Sequence, residues 1–118
     1  NGLDNQAASL LQKAVTQSPD DPAAHYAMGL LLVRQKNLDE AVGFLEKAAE
    51  LDPTNIRYSY VYAVALYENK RYEQAIAVLA AALHKQPANR ESISALGSYY
   101  QQQGKDTKLQ ELNQRYTK

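Results

Sequence analysis

The chain has 118 residues, no cysteine and a formal net charge of zero, because 13 Lys and Arg balance 13 Asp and Glu. This length predicts one domain, and a hydrophobic share of 45% is enough to build a core, which argues against intrinsic disorder. The lack of cysteine excludes disulfides, thiolate metal sites and cysteine nucleophiles. No apolar stretch is long enough for a bilayer span, so we expect no membrane insertion.

The neutral total conceals opposite charges on the two halves of the chain. Residues 1–55 contain eight acidic and four basic residues, whereas residues 56–118 contain five acidic and nine basic ones. The resulting net charges of −4 and +4 permit head-to-tail attraction between copies. They do not provide the strongly basic face of a nucleic-acid-binding protein, so we expect no nucleic acid partner.

An internal repeat of 34 residues organises the chain. Proline recurs at positions 19, 53 and 87, and small or apolar residues recur in three further sets. The sets are Ala7, Ala41 and Ala75; Leu11, Leu45 and Leu79; and Ala14, Ala48 and Ala82. Within a unit the apolar residues follow helical spacing in two segments, which in the first full unit cover about 22–35 and 38–51. The repeat therefore predicts pairs of helices.

Residues typical of helix starts delimit these segments. Asp21, Asn55 and Asn89 each precede a helical pattern, and their side chains can accept the unpaired amides of a first turn, so we expect them to be N-caps. Pro22 suits a first helical position. The prolines that end each unit cannot continue the preceding helix.

Polar turns and small residues predict how the helices of a pair are joined. Small residues recur near the middle of each first helix and let the two helices approach closely, which favours an antiparallel hairpin. These residues are Gly29, Ala63 and Gly97, and the turns are expected at Asn37, Arg71 and Lys105, with Gly104 adding a permissive backbone position.

This pattern resembles the tetratricopeptide repeat family. The family's unit has a small residue at its eighth place, an aromatic or large apolar residue at its eleventh, a large apolar residue at its twenty-fourth, Ala at its twentieth and twenty-seventh, and Pro at its thirty-second. The first full unit fills these places with Gly29, Leu32, Leu45, Ala41, Ala48 and Pro53, and the second with Ala63, Leu66, Leu79, Ala75, Ala82 and Pro87. In the third unit Gly97 and Tyr100 match, but Leu109, Asn113 and Tyr116 replace the second-helix pattern.

The resemblance implies an all-α fold, a right-handed α-solenoid of antiparallel helix hairpins with about seven helices. Residues 1–118 would form a single array. Its parts are the second helix of a truncated repeat at 1–19, repeats at 22–55 and 56–89, and a last repeat with a polar capping helix at 90–118. We expect the chain to be the C-terminal part of a longer bacterial-type protein of this family.

The first predicted helix carries an apolar stripe that includes Leu3, Leu10 and Leu11. Its hairpin partner is not in the sequence. One hypothesis is that the stripe is covered in a longer protein, and the other is that a second copy covers it in a homo-dimer.

No catalytic, cofactor-binding or metal-binding arrangement is readable in the sequence. His25 and His84 lie on different units, without a carboxylate or second histidine at metal-ligand spacing. The serines lack a readable His and acid arrangement, and there is no glycine-rich phosphate loop. We therefore expect a non-enzyme with no cofactor and no metal. The compartment stays open between the cytoplasm and the bacterial periplasm.

The resemblance also implies where a partner binds, because in this family the first helix of each unit lines a concave groove. The corresponding residues here are Tyr26, Leu30, Val33, Arg34, Arg57, Tyr60, Val64, Tyr67 and Glu68, followed by a polar third row. Tyrosines suit such a groove, because each offers a rigid apolar ring with a hydroxyl. Arg34 and Arg57 would hold an acidic group.

The other tyrosines are expected at packing positions. We place Tyr62, Tyr72, Tyr100 and Tyr116 in the core, and Tyr58 and Tyr99 between neighbouring first helices.

The function predicted from these features is a non-catalytic scaffold that binds a peptide segment or helix of a protein partner in the groove. A structural or self-association module is the first alternative. An accessory domain of a larger enzyme or redox protein is the second.

Overall fold

The computed structural model of the chain describes residues 2–116. Asn1, Thr117 and Lys118, which belong to the first and last predicted segments, lie outside the described residues. The described part contains seven α-helices and no strand: α1 (Gly2–Gln17), α2 (Pro22–Arg34), α3 (Leu38–Leu51), α4 (Ile56–Glu68), α5 (Tyr72–Lys85), α6 (Arg90–Gln102) and α7 (Asp106–Tyr116). Each helix packs mainly against the helices before and after it, in a molecule of 47 × 25 × 18 Å. The fold is the all-α solenoid that the sequence predicts.

The first helix of each hairpin begins at the predicted N-cap. The Asp21 carboxylate accepts the Ala23 amide at 3.0 Å, and the Asn55 side chain accepts the Arg57 amide at 3.1 Å. At α6 the Asn89 side chain accepts an amide of the first turn at 2.8 Å. These bonds satisfy amides that have no partner within the helix, so the caps stabilise all three starts.

The same turn ends α2, α4 and α6. Lys36, Lys70 and Gly104 adopt left-handed φ values of 62°, 66° and 69° and are spaced 34 residues apart. After α2, the Asn37 amide donates to the Leu32 carbonyl at 2.8 Å, and equivalent bonds follow α4 and α6. This is the Schellman arrangement of a helix C-terminus. The predicted polar turns are therefore present. Gly104 is itself left-handed, as a permissive position allows, and in each turn the left-handed residue directly precedes Asn37, Arg71 or Lys105.

The core is a row of three apolar clusters along the solenoid. The repeated residues Ala41, Leu45, Ala75 and Leu79 are all fully buried, which confirms that the 34-residue period marks the core. The clusters centre on Met28, Leu32 and Ala41; on Val42, Leu45, Tyr62, Ala65, Leu66 and Ala75; and on Ala63, Ile76, Leu79, Leu83, Leu96, Tyr100 and Leu112. Because each cluster contains residues from successive hairpins, the apolar packing joins the repeats into one body.

The predicted core tyrosines are buried to different degrees. Tyr62 and Tyr100 are each 8% exposed, whereas Tyr72 and Tyr116 are half-buried. Tyr116 still packs against the cluster that contains Leu112, so its ring contributes to the core of the last hairpin.

The two ends of the solenoid bury little. No residue of α1 is buried, and α7 buries only Leu112. Within the predicted N-terminal stripe, Leu11 packs against the cluster that contains Met28, whereas Leu3 and Leu10 are 76% and 67% exposed. Within the stripe, Leu11 therefore contributes to the core, whereas Leu3 and Leu10 remain exposed.

Candidate binding face

The predicted groove residues lie on α2 and α4, which contact each other, and Tyr67 of α4 also contacts α6. The ring of Tyr26 on α2 contacts that of Tyr58 on α4, with centroids 4.7 Å apart. The ring of Tyr67 on α4 stacks on Tyr99 of α6 at 3.7 Å and an interplanar angle of 6°. These contacts confirm that Tyr58 and Tyr99 pack between neighbouring first helices. We call the surface formed by Tyr26, Leu30, Val33, Arg34, Arg57, Tyr60, Val64, Tyr67 and Glu68 the first-helix face.

The apolar part of the first-helix face centres on Leu30. Its side chain is 41% exposed, although it lies in the middle of α2. Tyr26 and Val33, one turn away on either side, are half-buried, and so are Tyr60 and Val64 on α4. The face therefore presents apolar surface that the packing of the repeats does not cover.

Both arginines of the face form ion pairs with residues of neighbouring repeats. The Arg57 guanidinium donates to both carboxylate oxygens of Glu91, at 3.2 and 3.5 Å, and lies 5.7 Å from the centre of the Tyr60 ring. Arg34 pairs with Asp4 of α1. The Arg57 and Glu91 side chains are about half exposed, and an exposed ion pair contributes only about 0–1 kcal/mol. An acidic group of a partner can therefore compete for Arg57.

Tyr67 is held more firmly than the other tyrosines of the face. Besides the stack on Tyr99, its ring meets the edge of Tyr72 at a centroid distance of 4.7 Å. Its hydroxyl donates to the Gln102 side chain at 2.7 Å and accepts from Gln103 at 2.9 Å. Much of the polar and apolar surface of Tyr67 is thus used to connect α4 with α6, while Glu68 next to it is exposed.

Burial changes the acidity of one tyrosine beside this face. Removal from water, followed by the neighbouring hydroxyls of Tyr60 and Tyr67 and the charge of Glu68, raises the pKa of Tyr99 to about 12. Tyr99 is therefore a neutral phenol at physiological pH, which suits its stacked, half-buried position.

The contacts between repeats on this face were not predicted from the sequence. Arg57 and Glu91 are 34 residues apart and carry opposite charges at the same place of adjacent units, which was a readable signal. Gln103 was not singled out, and the repeat pattern gives no sign of which hydroxyl its amide meets.

Neither histidine is part of the first-helix face. His25 is buried, with Nε2 placed 2.8 Å from the Pro19 carbonyl and the ring packed beside Phe44 at a centroid distance of 6.1 Å. His84 is exposed on α5. Among residues 2–116 there is no group of three or more His, Asp or Glu side chains arranged to hold a metal ion.

Within the described range, we find no helix with the length and apolar character needed to cross a membrane.

The paired helices, the 34-residue register and the capping pattern define a tetratricopeptide-type repeat protein, a class that generally serves as a non-catalytic scaffold for protein interactions. The sequence model of the family described as "Anaphase-promoting complex, cyclosome, subunit 3" matches residues 1–82, and the chain belongs to this repeat family.

Solved structures with this fold include several of MamA. The MamA structure from Desulfovibrio magneticus RS-1 has 26% sequence identity and a TM-score of 0.80, over 96% of this chain and 64% of that one. The structure designated MamA MSR-1 has 26% identity and a TM-score of 0.78, over 98% of this chain and 67% of that one. Across the similar MamA structures, the chain spans between 60% and 67% of their length. No curated protein matches the chain.

Proposed function

We propose that the chain is a non-catalytic scaffold that binds a peptide segment or a helix of a protein partner on its first-helix face. The observation that carries this proposal is the exposure of Leu30, which is 41% accessible in the middle of α2. The packing of the repeats accounts for the other large apolar residues of α2, namely Met28, Leu31 and Leu32, which are all buried.

The residues around Leu30 suit a peptide ligand. Tyr26 and Tyr60 each combine an apolar ring with a hydroxyl, and aromatic residues of this kind lose little side-chain entropy on binding. Arg57 and Glu91 form a polar margin beside Tyr60. An apolar centre with a charged rim is the usual composition of a protein-interaction surface.

A random library of linear peptides, displayed on phage and selected on the immobilised chain, supplies a ligand for the test. The dissociation constant of one selected synthetic peptide is then measured by fluorescence anisotropy for wild type, Leu30→Ala and Tyr60→Ala. We expect each variant to weaken binding by about tenfold or more, as truncation of a central contact does.

Leu10→Ala is the matched control for Leu30→Ala, because Leu10 is also exposed and helical but lies on α1, outside the first-helix face. Its dissociation constant should equal that of wild type. Because Tyr60 packs partly against the core, circular dichroism must show unchanged helix content for its variant. Wild-type affinity in Leu30→Ala and Tyr60→Ala would contradict the proposal.

A further inference from the structure

Glu68 is an acidic residue at a helix end that favours a basic one. It is the last residue of α4, whose last turn contains no basic residue. Because the carbonyls at a helix C-terminus carry partial negative charge, a carboxylate there is repelled and a cation is stabilised. Arg34 and Gln102 occupy the same place at the ends of α2 and α6. Glu68 is thus unfavourable for its own helix, so the stability of the fold does not explain it.

Of the three charged residues of the first-helix face, all within the described range, Glu68 is the one without an ion pair. Its side chain is exposed. Arg34 pairs with Asp4, and Arg57 pairs with Glu91. An acidic ligand group at Arg57 has to displace Glu91, whereas a basic ligand group at Glu68 displaces no carboxylate or cation of the chain. The free charge of the face is therefore negative.

An apolar patch and tyrosine rings lie next to this carboxylate. Glu68 follows Val64 by one helical turn, so the two lie on the same side of α4. Val64 takes the place in its unit that Leu30 has in the unit before. The charge of Glu68 also contributes to the raised pKa of Tyr99, whose ring stacks on Tyr67 at 3.7 Å. Such rings can pack against the apolar stem of a Lys or Arg while a carboxylate binds its cationic end.

We propose that the bound segment presents a Lys or Arg side chain to Glu68 and an apolar side chain, a few residues away, to Leu30 and Val64. This inference rests on the function proposed above and adds the chemistry of the ligand. It reverses the sign of the ligand charge expected from the sequence, because both arginines of the face already have carboxylate partners.

The peptides selected from the phage-displayed random library provide the first test. On wild type, we expect enriched sequences to carry Lys or Arg within about four residues of a large apolar residue, because four helical residues separate Val64 and Glu68 by about 6 Å along α4. A second selection on the Glu68→Lys chain should enrich Asp or Glu at that place instead.

One peptide selected on wild type is then synthesised with an acetylated N-terminus, so that its terminal amine carries no charge. Fluorescence anisotropy should show that Glu68→Gln weakens its binding by about fivefold or more. Replacing the basic residue of the peptide by Gln should weaken binding to wild type by a similar factor and add little in Glu68→Gln. Thermal unfolding should show that Glu68→Gln is at least as stable as wild type, since it removes the unfavourable charge from the end of α4.

Glu40→Gln is the matched control. It removes the same charge from an exposed site on α3, outside the first-helix face, and should bind the peptide like wild type. Added salt should weaken binding to wild type more than binding to Glu68→Gln, because only wild type retains the ion pair.

The inference is overturned, and the proposed function kept, if the peptide loses affinity in Leu30→Ala but binds Glu68→Gln as tightly as wild type. Enrichment of Asp or Glu on wild type, with affinity lost in Arg57→Gln, would indicate an acidic ligand and also overturn it. A peptide that binds Leu30→Ala, Tyr60→Ala and Glu68→Gln all as tightly as wild type would overturn both proposals.

Discussion

Ser92 shows at the scale of one residue how this fold tolerates a defect. It is fully buried in α6, and its hydroxyl has no hydrogen-bond partner among the described residues. Ala24 occupies the same place two repeats earlier, at the start of α2, and is buried there. An apolar residue is therefore acceptable at this place of the repeat.

Ser92→Ala should stabilise the chain by about 1 kcal/mol, because a buried hydroxyl without a partner has lost its hydration and gained nothing in return. Urea unfolding checks this as a higher midpoint with an unchanged slope. A lower midpoint would mean that the hydroxyl has a stabilising contact after all.

Ionisation of the Tyr62 hydroxyl should make the free energy of unfolding depend on pH in the alkaline range. Burial, followed by a hydrogen bond from its hydroxyl to Glu46 at 3.0 Å and the charges of Glu46 and Glu50, raises the pKa of Tyr62 to about 12, against the opposing effect of Arg71. The folded chain thus favours the neutral phenol more than the unfolded chain does. This contribution is complete below pH 10, the unfolded value, and is lost as the pH rises to about 12.

Tyr62→Phe should consequently be less stable than wild type at pH 8, by about 0.5–1.5 kcal/mol for the lost hydrogen bond. The difference should shrink between pH 10 and pH 12, because phenylalanine cannot ionise. Denaturant unfolding at a series of pH values measures both effects. A difference that stays constant up to pH 12 would show that the hydroxyl is not the titrating group responsible.

The sequence predicted the role of a single residue where that role depends only on backbone a few positions away. The caps Asp21, Asn55 and Asn89 act on amides two or three residues away, so the residue type and its place before a helix were sufficient. Tyr67 was different, because its hydroxyl meets Gln102 and Gln103 of another repeat. The period sets the spacing of the helices, but it does not set side-chain rotamers.

At the scale of elements, the glycines of the repeat have different reasons to be glycine. A Cβ on Gly29 would lie 2.6 Å from the Leu45 side chain, which is itself fully buried. A Cβ on Gly97, at the same place two repeats later, would make ordinary contacts of 3.5 and 3.7 Å with Leu112 and Leu109. Close helix approach requires glycine only in the first case.

Gly29→Ala should therefore destabilise the chain by about 1–3 kcal/mol, because Leu45 must move within a packed core. Gly97→Ala should instead stabilise it by up to about 1 kcal/mol, since alanine has the higher helix propensity and has room here. Thermal or urea unfolding of the two variants measures these effects, and each variant serves as the matched control for the other. Equal effects of the same sign would refute the difference in packing between the two hairpins.

The hairpins themselves were predictable because they depend on spacing. The expected helices at about 22–35 and 38–51 agree within a residue with Pro22–Arg34 and Leu38–Leu51. The left-handed turn residues were harder to recognise, because Lys36 and Lys70 occupy the place that Gly104 takes in the last hairpin. Lysine carries no signal for a positive φ, so only alignment with Gly104 reveals the position.

At the scale of the whole molecule, burial is lower in the two terminal helices than between them, where α2 alone has six buried residues. α5 has five buried residues, whereas α1 has none and α7 has only one. In a solenoid each repeat is stabilised by its neighbours, so the terminal helices have the fewest stabilising contacts.

Hydrogen exchange measured by mass spectrometry on a dilute sample should follow this gradient. We expect the amides of α1 and α7 to exchange first and those of α2, α3, α4 and α5 last. Equal protection of all seven helices would contradict it, because the chain would then open only as one unit.

The family resemblance indicated the first-helix face, and helical spacing indicated the apolar stripe of the first helix, but the sequence did not show which apolar residues of the face remain exposed. Leu30 and Leu32 are both leucines of α2, and only the packed structure distinguishes the exposed one from the buried one.

The position of the binding surface can be tested directly by an NMR map of the isotope-labelled chain with a display-selected peptide bound. We expect intermolecular nuclear Overhauser contacts from the peptide to Tyr26, Leu30, Tyr60 and Val64, which all lie on α2 and α4. Contacts confined to α3 and α5, or to α7, would contradict the claim that the first-helix face is the binding surface.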